Sequence, residues 1–187
     1  MKHTKSLTLL VPVMFTFFTM GFVDLVGIAT NYVKEDFTLS DTMANLLPSM
    51  VFLWFLVCSV PTGMLMNKIG RRKTVIISVL VTFLSLLVPL IEYSYSMMLI
   101  SFALLGMGNA MMQVSLNPLL SNVVSGHLLA SSLTLGQFFK AIASFLAPII
   151  TAWAVVEFGN WRMLYPIFAS ISLIAAFWLL FTSVEEQ

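Results

Sequence analysis

Charge is what this sequence has least of: 9% of its 187 residues are Asp, Glu, Lys or Arg, where soluble domains carry about 25%. With 59% hydrophobic residues and a mean hydropathy of +0.99, no stretch is left over for a soluble domain. The few cations form no basic face, which excludes nucleic acid as a partner. Cysteine is almost missing. Cys58 stands alone inside an apolar run, so neither a disulfide framework nor a thiolate metal centre is available. His3 and His127 lie at the chain start and in a short polar connection, without ligand-type neighbours. No nucleophile–base pair and no phosphate loop occur, so an enzyme is not expected, and no cofactor or metal.

What the chain does have is apolar runs long enough to cross a bilayer, which takes about 20 residues as helix. Six are marked off by charges and turn residues, at about 7–33, 43–67, 74–91, 96–124, 128–156 and 161–182. Helices satisfy their backbone internally in lipid, and no period-two alternation of the barrel kind is present. The fold class expected is therefore all-α integral membrane, a single six-helix bundle over residues 1–187. The first run is too long for a signal-peptide core and is read as a retained span.

Orientation follows from Lys and Arg in the short flanks. Lys2, Lys5, Lys68, Arg71, Arg72 and Lys73 mark one side, against Lys34 and Arg162 on the other. Both termini, including the Glu185–Glu186 tail, are expected to be cytoplasmic in a multi-pass inner-membrane protein.

Two charges fall inside spans: Asp24 in the first and Lys140 in the fifth. A charge at the centre of a span costs about 2.5–3.5 kcal/mol on insertion scales, so it faces a partner or a water-filled path. Helical spacing puts Gly21, Asp24, Gly27 and Asn31 on one face, Gly106, Asn109, Gln113 and Asn117 on another, and Gln137, Lys140 and Ser144 close to one face of the fifth span. At ~1.5 Å per residue, Lys140 and Gln113 come out equally deep, with Asp24 roughly 7 Å further outward. Bland readings exist for each: an ion-pair strut for Asp24 and Lys140, interhelical hydrogen-bond glue for Asn109 and Gln137, a kink partner of Pro118 for Asn117, packing for Trp54. The functional reading makes Gln113, Asn117, Gln137, Asn31, Asn109 and Trp54 substrate-binding residues, and Asp24 with Lys140 a proton-coupling charge pair.

The most specific local motif runs from Gly63 through Asn67, Lys68 and Gly70 to Arg71, Arg72 and Lys73. Gly63 permits close helix packing, and Gly70 permits a turn with positive φ. The motif resembles the loop signature G-x-L-a-D-r-x-G-r-k/r of the major facilitator superfamily, between spans two and three as that family has it. In the family the acidic residue of this loop pairs with charges at neighbouring helix ends; Asn67 stands there here, which leaves a weaker latch. Gly159-Asn160-Trp161-Arg162 with Tyr165 is similar to the element opening the sixth helix of the same superfamily. In the fourth span, Gly106, Gly108, Gln113, Asn117 and Pro118 resemble the pattern of the fucose–galactose–hexose/proton symporter family, with Gln113 in place of its glutamate. Leu133 and Gln137 continue that resemblance in the fifth.

The resemblance implies one half, built as a three-plus-three inverted repeat, of a twelve-span secondary transporter, with the second half absent. The function expected is proton-coupled uptake of a sugar or similar small polar solute. Alternatives are an organic-anion carrier with Lys140 as counter-charge, or a truncated or non-transporting membrane subunit. Expected partners are a small-molecule substrate, protons, the lipid bilayer, and a second six-helix half or another copy.

Overall fold

The structure, a computed structural model, describes residues 2–184, with side chains from residue 8 onward. The Glu185–Glu186 tail and the side chains of Lys2, His3 and Lys5 lie outside the described residues. All regular elements within that range are helical. They are α1 (Lys2–Met20), a 3₁₀ turn (Gly21–Asp24), α2 (Leu25–Asp36), α3 (Asp41–Ile69), α4 (Arg71–Ile91), α5 (Tyr95–Val123), α6 (Leu128–Phe158), a second 3₁₀ turn (Trp161–Met163) and α7 (Leu164–Phe181). Six helical stretches are long and apolar enough to span a membrane: Thr8–Asp36, Asp41–Ile69, Arg71–Ile91, Tyr95–Val123, Leu128–Phe158 and Trp161–Phe181.

Two differences from the hydropathy reading concern the first span. The first span is not one smooth helix, because the 3₁₀ turn separates α1 from α2. It also continues to Asp36, so that Lys34 and Glu35 sit on the last helical turn rather than in a link.

Short polar residues start and stop the helices. Ser40 and Ser94 accept from the backbone N–H of Met43 and Met97 at 3.3 Å, capping α3 and α5. Gly70, at φ +92°, turns α3 into α4 in a conformation that L side chains avoid. Prolines lie inside five of the helices crossing the bundle, including Pro118 in α5.

α5 is the central element, packed on α3 and α4, while α1 packs on α6 and α7. Close approach at α5 depends on glycine: a Cβ on Gly106 would lie 2.8 Å from the Val51 Cα, and one on Gly108 3.0 Å from the Thr82 backbone nitrogen. Gly63 departs from the expectation of close packing. Nothing lies near enough to meet a Cβ there, so it mediates no close helix approach within this bundle. The apolar core falls into two layers. One gathers Phe22, Leu25, Leu47, Met98, Phe102, Tyr165 and Phe168 towards the end, called outer for its position in the expected orientation, where the 37–40 and 92–94 connections lie. The other gathers Phe17, Val75, Val79, Met112, Leu116 and Leu179 towards the inner end.

α3 and α6 are much less covered than the rest. In their most apolar windows 17% and 22% of residues are buried, against 44% or more in the other four spans. Their open faces carry Phe52, Leu56 and Val60, and Phe138, Phe145 and Val156.

Candidate functional site

Between the two core layers, α2, α3, α5 and α6 wall a cavity of about 530 Å³. Its polar lining is Asp24 at the end of the first 3₁₀ turn, Asn109 and Gln113 on α5, and Lys140 on α6; Gly27, Pro48, Val51, Phe52 and Phe55 supply most of the rest. Phe52 is 73% exposed, so the cavity is open on the side where α3 and α6 present their uncovered faces.

The first and fifth spans meet at Gly21. The position a Cβ would take there falls onto the Lys140 carbonyl and 2.7 Å from the Ala143 Cβ, so a larger residue would force the helices apart. This close approach brings Asp24 beside α6. Ser144 Oγ donates to Asp24 Oδ2 and also lies 3.0 Å from the Lys140 carbonyl oxygen. Asp24 and Lys140 thus share the cavity but form no ion pair with each other. The Lys140 Nζ has no hydrogen-bond or ion-pair partner among the described residues. Asn109 is 8% exposed, and its Oδ1 is buried without a donor.

Of the residues singled out from sequence, Asp24, Lys140, Gln113 and Asn109 converge. Asn31, Asn117, Gln137 and Trp54 do not line this cavity. Asn31 and Gln137 are exposed on α2 and α6, and Asn117 is exposed one turn inward of Gln113. On α3, Phe52 and Phe55 take the place expected of Trp54. The sequence carried a signal for them: Pro48, Val51, Phe52 and Phe55 recur at helical spacing, the pattern of a single face. Ser144 carried a weaker one, as a hydroxyl one turn beyond Lys140.

The turn between α3 and α4 is tied down by the two arginines that open α4. Arg71 Nη1 donates to the Pro118 carbonyl at 3.1 Å, to Ser121 Oγ at 3.3 Å and to Asn122 Oδ1. Arg72 Nε donates to the Leu179 carbonyl at 3.3 Å and its Nη2 to the Leu180 carbonyl at 2.5 Å. Both guanidinium groups therefore satisfy helix C-termini, where carbonyls lack intrahelical donors and positive charge is favoured. Asn67, at the position of the family's acidic residue, is exposed and makes no hydrogen bond among the described residues.

At the outer end Asp36 accepts from the Tyr93 hydroxyl at 2.5 Å and from Trp161 Nε1 at 3.0 Å. The Arg162 guanidinium lies 4.2 Å from the Tyr93 ring centroid, a cation–π contact. Burial, reinforced by the Asp36 carboxylate, pushes the Tyr93 hydroxyl well above the usual phenol range, so it stays a donor at any physiological pH. This network joins the ends of α2, α4 and α6–α7. Lys34 and Asp41 add an exposed ion pair, of small energetic weight.

The family model described as Major Facilitator Superfamily matches residues 12–187. A glucose/galactose transporter of Brucella abortus is 28% identical over 156 residues, which are 81% of this chain and 36% of the relative. Among solved structures, the proton:xylose symporter XylE bound to 6-bromo-6-deoxy-D-glucose superposes with a TM-score of 0.85 at 13% identity, covering 98% of this chain and 46% of that one. The E. coli fucose:proton symporter FucP gives 0.72 at 14% identity, over 95% of this chain and 49% of that one. A structure of proton-dependent oligopeptide transporters gives 0.80 at 15% identity, over 99% and 43%. At these identities the superpositions establish fold and not substrate. The chain spans about 36% of the curated relative's length and under half that of these solved structures.

Proposed function

This chain belongs to the major facilitator superfamily, and on that premise we propose that it takes part in proton-coupled transport of a sugar or similar small polar solute by alternating access. The observation that carries the reading is the cavity itself. One carboxylate, one ammonium and two amides, from three different spans, meet between apolar layers where nothing in the packing requires them. Amide groups that both donate and accept suit hydroxyl-rich solutes. The names of the Brucella abortus relative and of the XylE and FucP structures point the same way.

Asp24 is the proton acceptor in this reading. Ser144 has one hydroxyl proton and two acceptors in reach, the Asp24 carboxylate and the Lys140 carbonyl. While Asp24 is ionised, the hydroxyl ties the first span to the fifth. Once Asp24 takes a proton, the hydroxyl can turn to the Lys140 carbonyl, and the join between the spans is remade. The switch thus runs through Ser144, not through a released Asp24–Lys140 ion pair.

The uncovered faces of α3 and α6 flank the open side of the cavity, and a second six-helix half, in the same polypeptide or as another copy, would close it. On this reading the inner end, with Lys68, Arg71, Arg72 and Lys73, faces the cytoplasm of an inner-membrane protein together with both termini, as the excess of cations there favours. The deciding experiment is uptake of radiolabelled galactose into proteoliposomes under an imposed pH gradient. Wild type should accumulate it; Asp24→Asn should lose accumulation yet keep solute exchange at equal concentrations. Undiminished accumulation by Asp24→Asn would rule out the coupling role, and absence of any exchange would favour a non-transporting subunit.

A further inference from the structure

We infer that the solute for which this cavity is built carries a carboxylate: it is a polyhydroxylated monocarboxylate, a sugar acid, held by its anionic group at Lys140 and by hydroxyls at Asn109 and Gln113. The inference rests on the transport function proposed for the cavity and narrows its substrate class. Charge carries the first part of the argument. Lys140 faces the cavity with no partner, whereas Asp24 already accepts from Ser144. With Asp24 ionised the cavity's charges sum to zero. With Asp24 protonated, one positive charge remains on Lys140. The Lys140 ammonium shares the cavity with Val51, Phe52 and Phe55, and once the open side is covered it is costly unless paired. A substrate carboxylate is the counter-charge that the bundle leaves out.

Hydrogen bonding carries the second part. The buried Oδ1 of Asn109 accepts from no donor among the described residues. A bare carboxylate cannot supply it, being an acceptor itself, but a hydroxyl can. One ligand satisfying both Lys140 and Asn109 therefore bears an acid and a hydrogen-bond donor, and in a polyhydroxylated acid a hydroxyl is that donor. The Phe52 and Phe55 rings also line the cavity and suit the apolar C–H face of a ring sugar. A solute anion and one proton entering together add no net charge, so the coupled step is driven by the pH gradient and is indifferent to membrane potential.

The test is equilibrium binding to the full chain in lipid nanodiscs, with D-galacturonate, D-galactose and succinate as probes. D-galacturonate is expected to bind at least about tenfold more tightly than either, the difference that one charge-assisted hydrogen bond makes. Lys140→Gln should erase its advantage over D-galactose, and Lys140→Arg should keep most of it. Should Lys140→Gln fail to fold, wild-type selectivity and the Lys140→Arg variant still decide the matter. Equal or tighter binding of D-galactose overturns the carboxylate and leaves sugar transport standing. Succinate bound in preference to D-galacturonate overturns the hydroxyl requirement, and with it the proposal. Binding of none of the three overturns both the sugar acid and the transport function on which it rests.

Discussion

Ser144 and Asn109 are the side chains whose chemistry is least explained by packing, and their replacements should behave in opposite ways. Ser144→Ala removes a hydrogen bond to a carboxylate that stays open to the cavity, so its fold cost should be no more than about 1 kcal/mol. The solute accumulation ratio should nevertheless fall roughly three- to tenfold, because Asp24 loses its tether to α6. An unchanged ratio in proteoliposomes would remove Ser144 from the coupling step. Asn109→Leu should act in reverse. Replacing a buried, unpartnered amide by an apolar group of similar shape is neutral or stabilising, so thermal stability should hold or rise while solute affinity drops about tenfold. A parallel loss of both would mean that Asn109 is structural. Sequence reading reached Asp24, Lys140, Gln113 and Asn109 because intramembrane charge and helical periodicity are strong signals. Asn31, Asn117 and Gln137 do not line this cavity, because periodicity fixes a face and not how far a cavity extends along it. Asn31 lies seven residues beyond Asp24, about 10 Å along the helix, which is past the cavity's end. Trp54 fails differently. One residue from Phe55, it is rotated about 100° off the cavity-lining face.

At the scale of helices, the join between α5 and α3 is the most sensitive one. A Cβ on Gly106 would press on Val51 backbone, which cannot swing aside as a side chain could. Gly106→Ala should therefore lower stability by about 1–3 kcal/mol, the usual cost of overpacking, read as a drop in the thermal unfolding midpoint in micelles. Gly63→Ala, whose Cβ meets nothing, is the control and should be neutral or slightly stabilising. Equal losses in both would show that the close approach of Gly106 to Val51 is not what the substitution measures, since helix propensity alone favours alanine. The arginines make a second joint. Arg71→Lys should not restore what Arg71→Ala loses, since one ammonium cannot match a planar fork reaching Pro118, Ser121 and Asn122. Protease protection of the 124–127 connection reports on it, and full rescue by lysine would contradict the geometry. The six spans themselves were plain from hydropathy, since bilayer thickness dictates their length. The 3₁₀ break at Gly21–Asp24 was not, because it arises where the first span presses on α6, a tertiary effect that hydropathy does not encode.

For the whole molecule the decisive asymmetry is that α3 and α6 stay largely uncovered while the other spans are close to half buried. If a second six-helix half lies there, cysteine placed at Leu56, in a Cys58→Ser background, should crosslink to it with a thiol-reactive bifunctional reagent in membranes. Cysteine at Ile174, also exposed but on α7, should not. Equal crosslinking at both positions would mean that the two faces differ only in which lipids they touch.

Mechanically, the pair Arg71 and Arg72 makes a fulcrum. Two guanidinium groups at the head of α4 hold the tails of α5 and α7, so these three inner ends travel as one block. Any tilt that admits water from that end to Lys140 must then be shared out among the first span, α3 and α6. The cavity's lining would shear along a seam between Asn109 and Gln113 on the anchored side and Asp24 with Lys140 on the swinging one, so a bound solute bridging that seam would itself resist the stroke until it lets go of one bank.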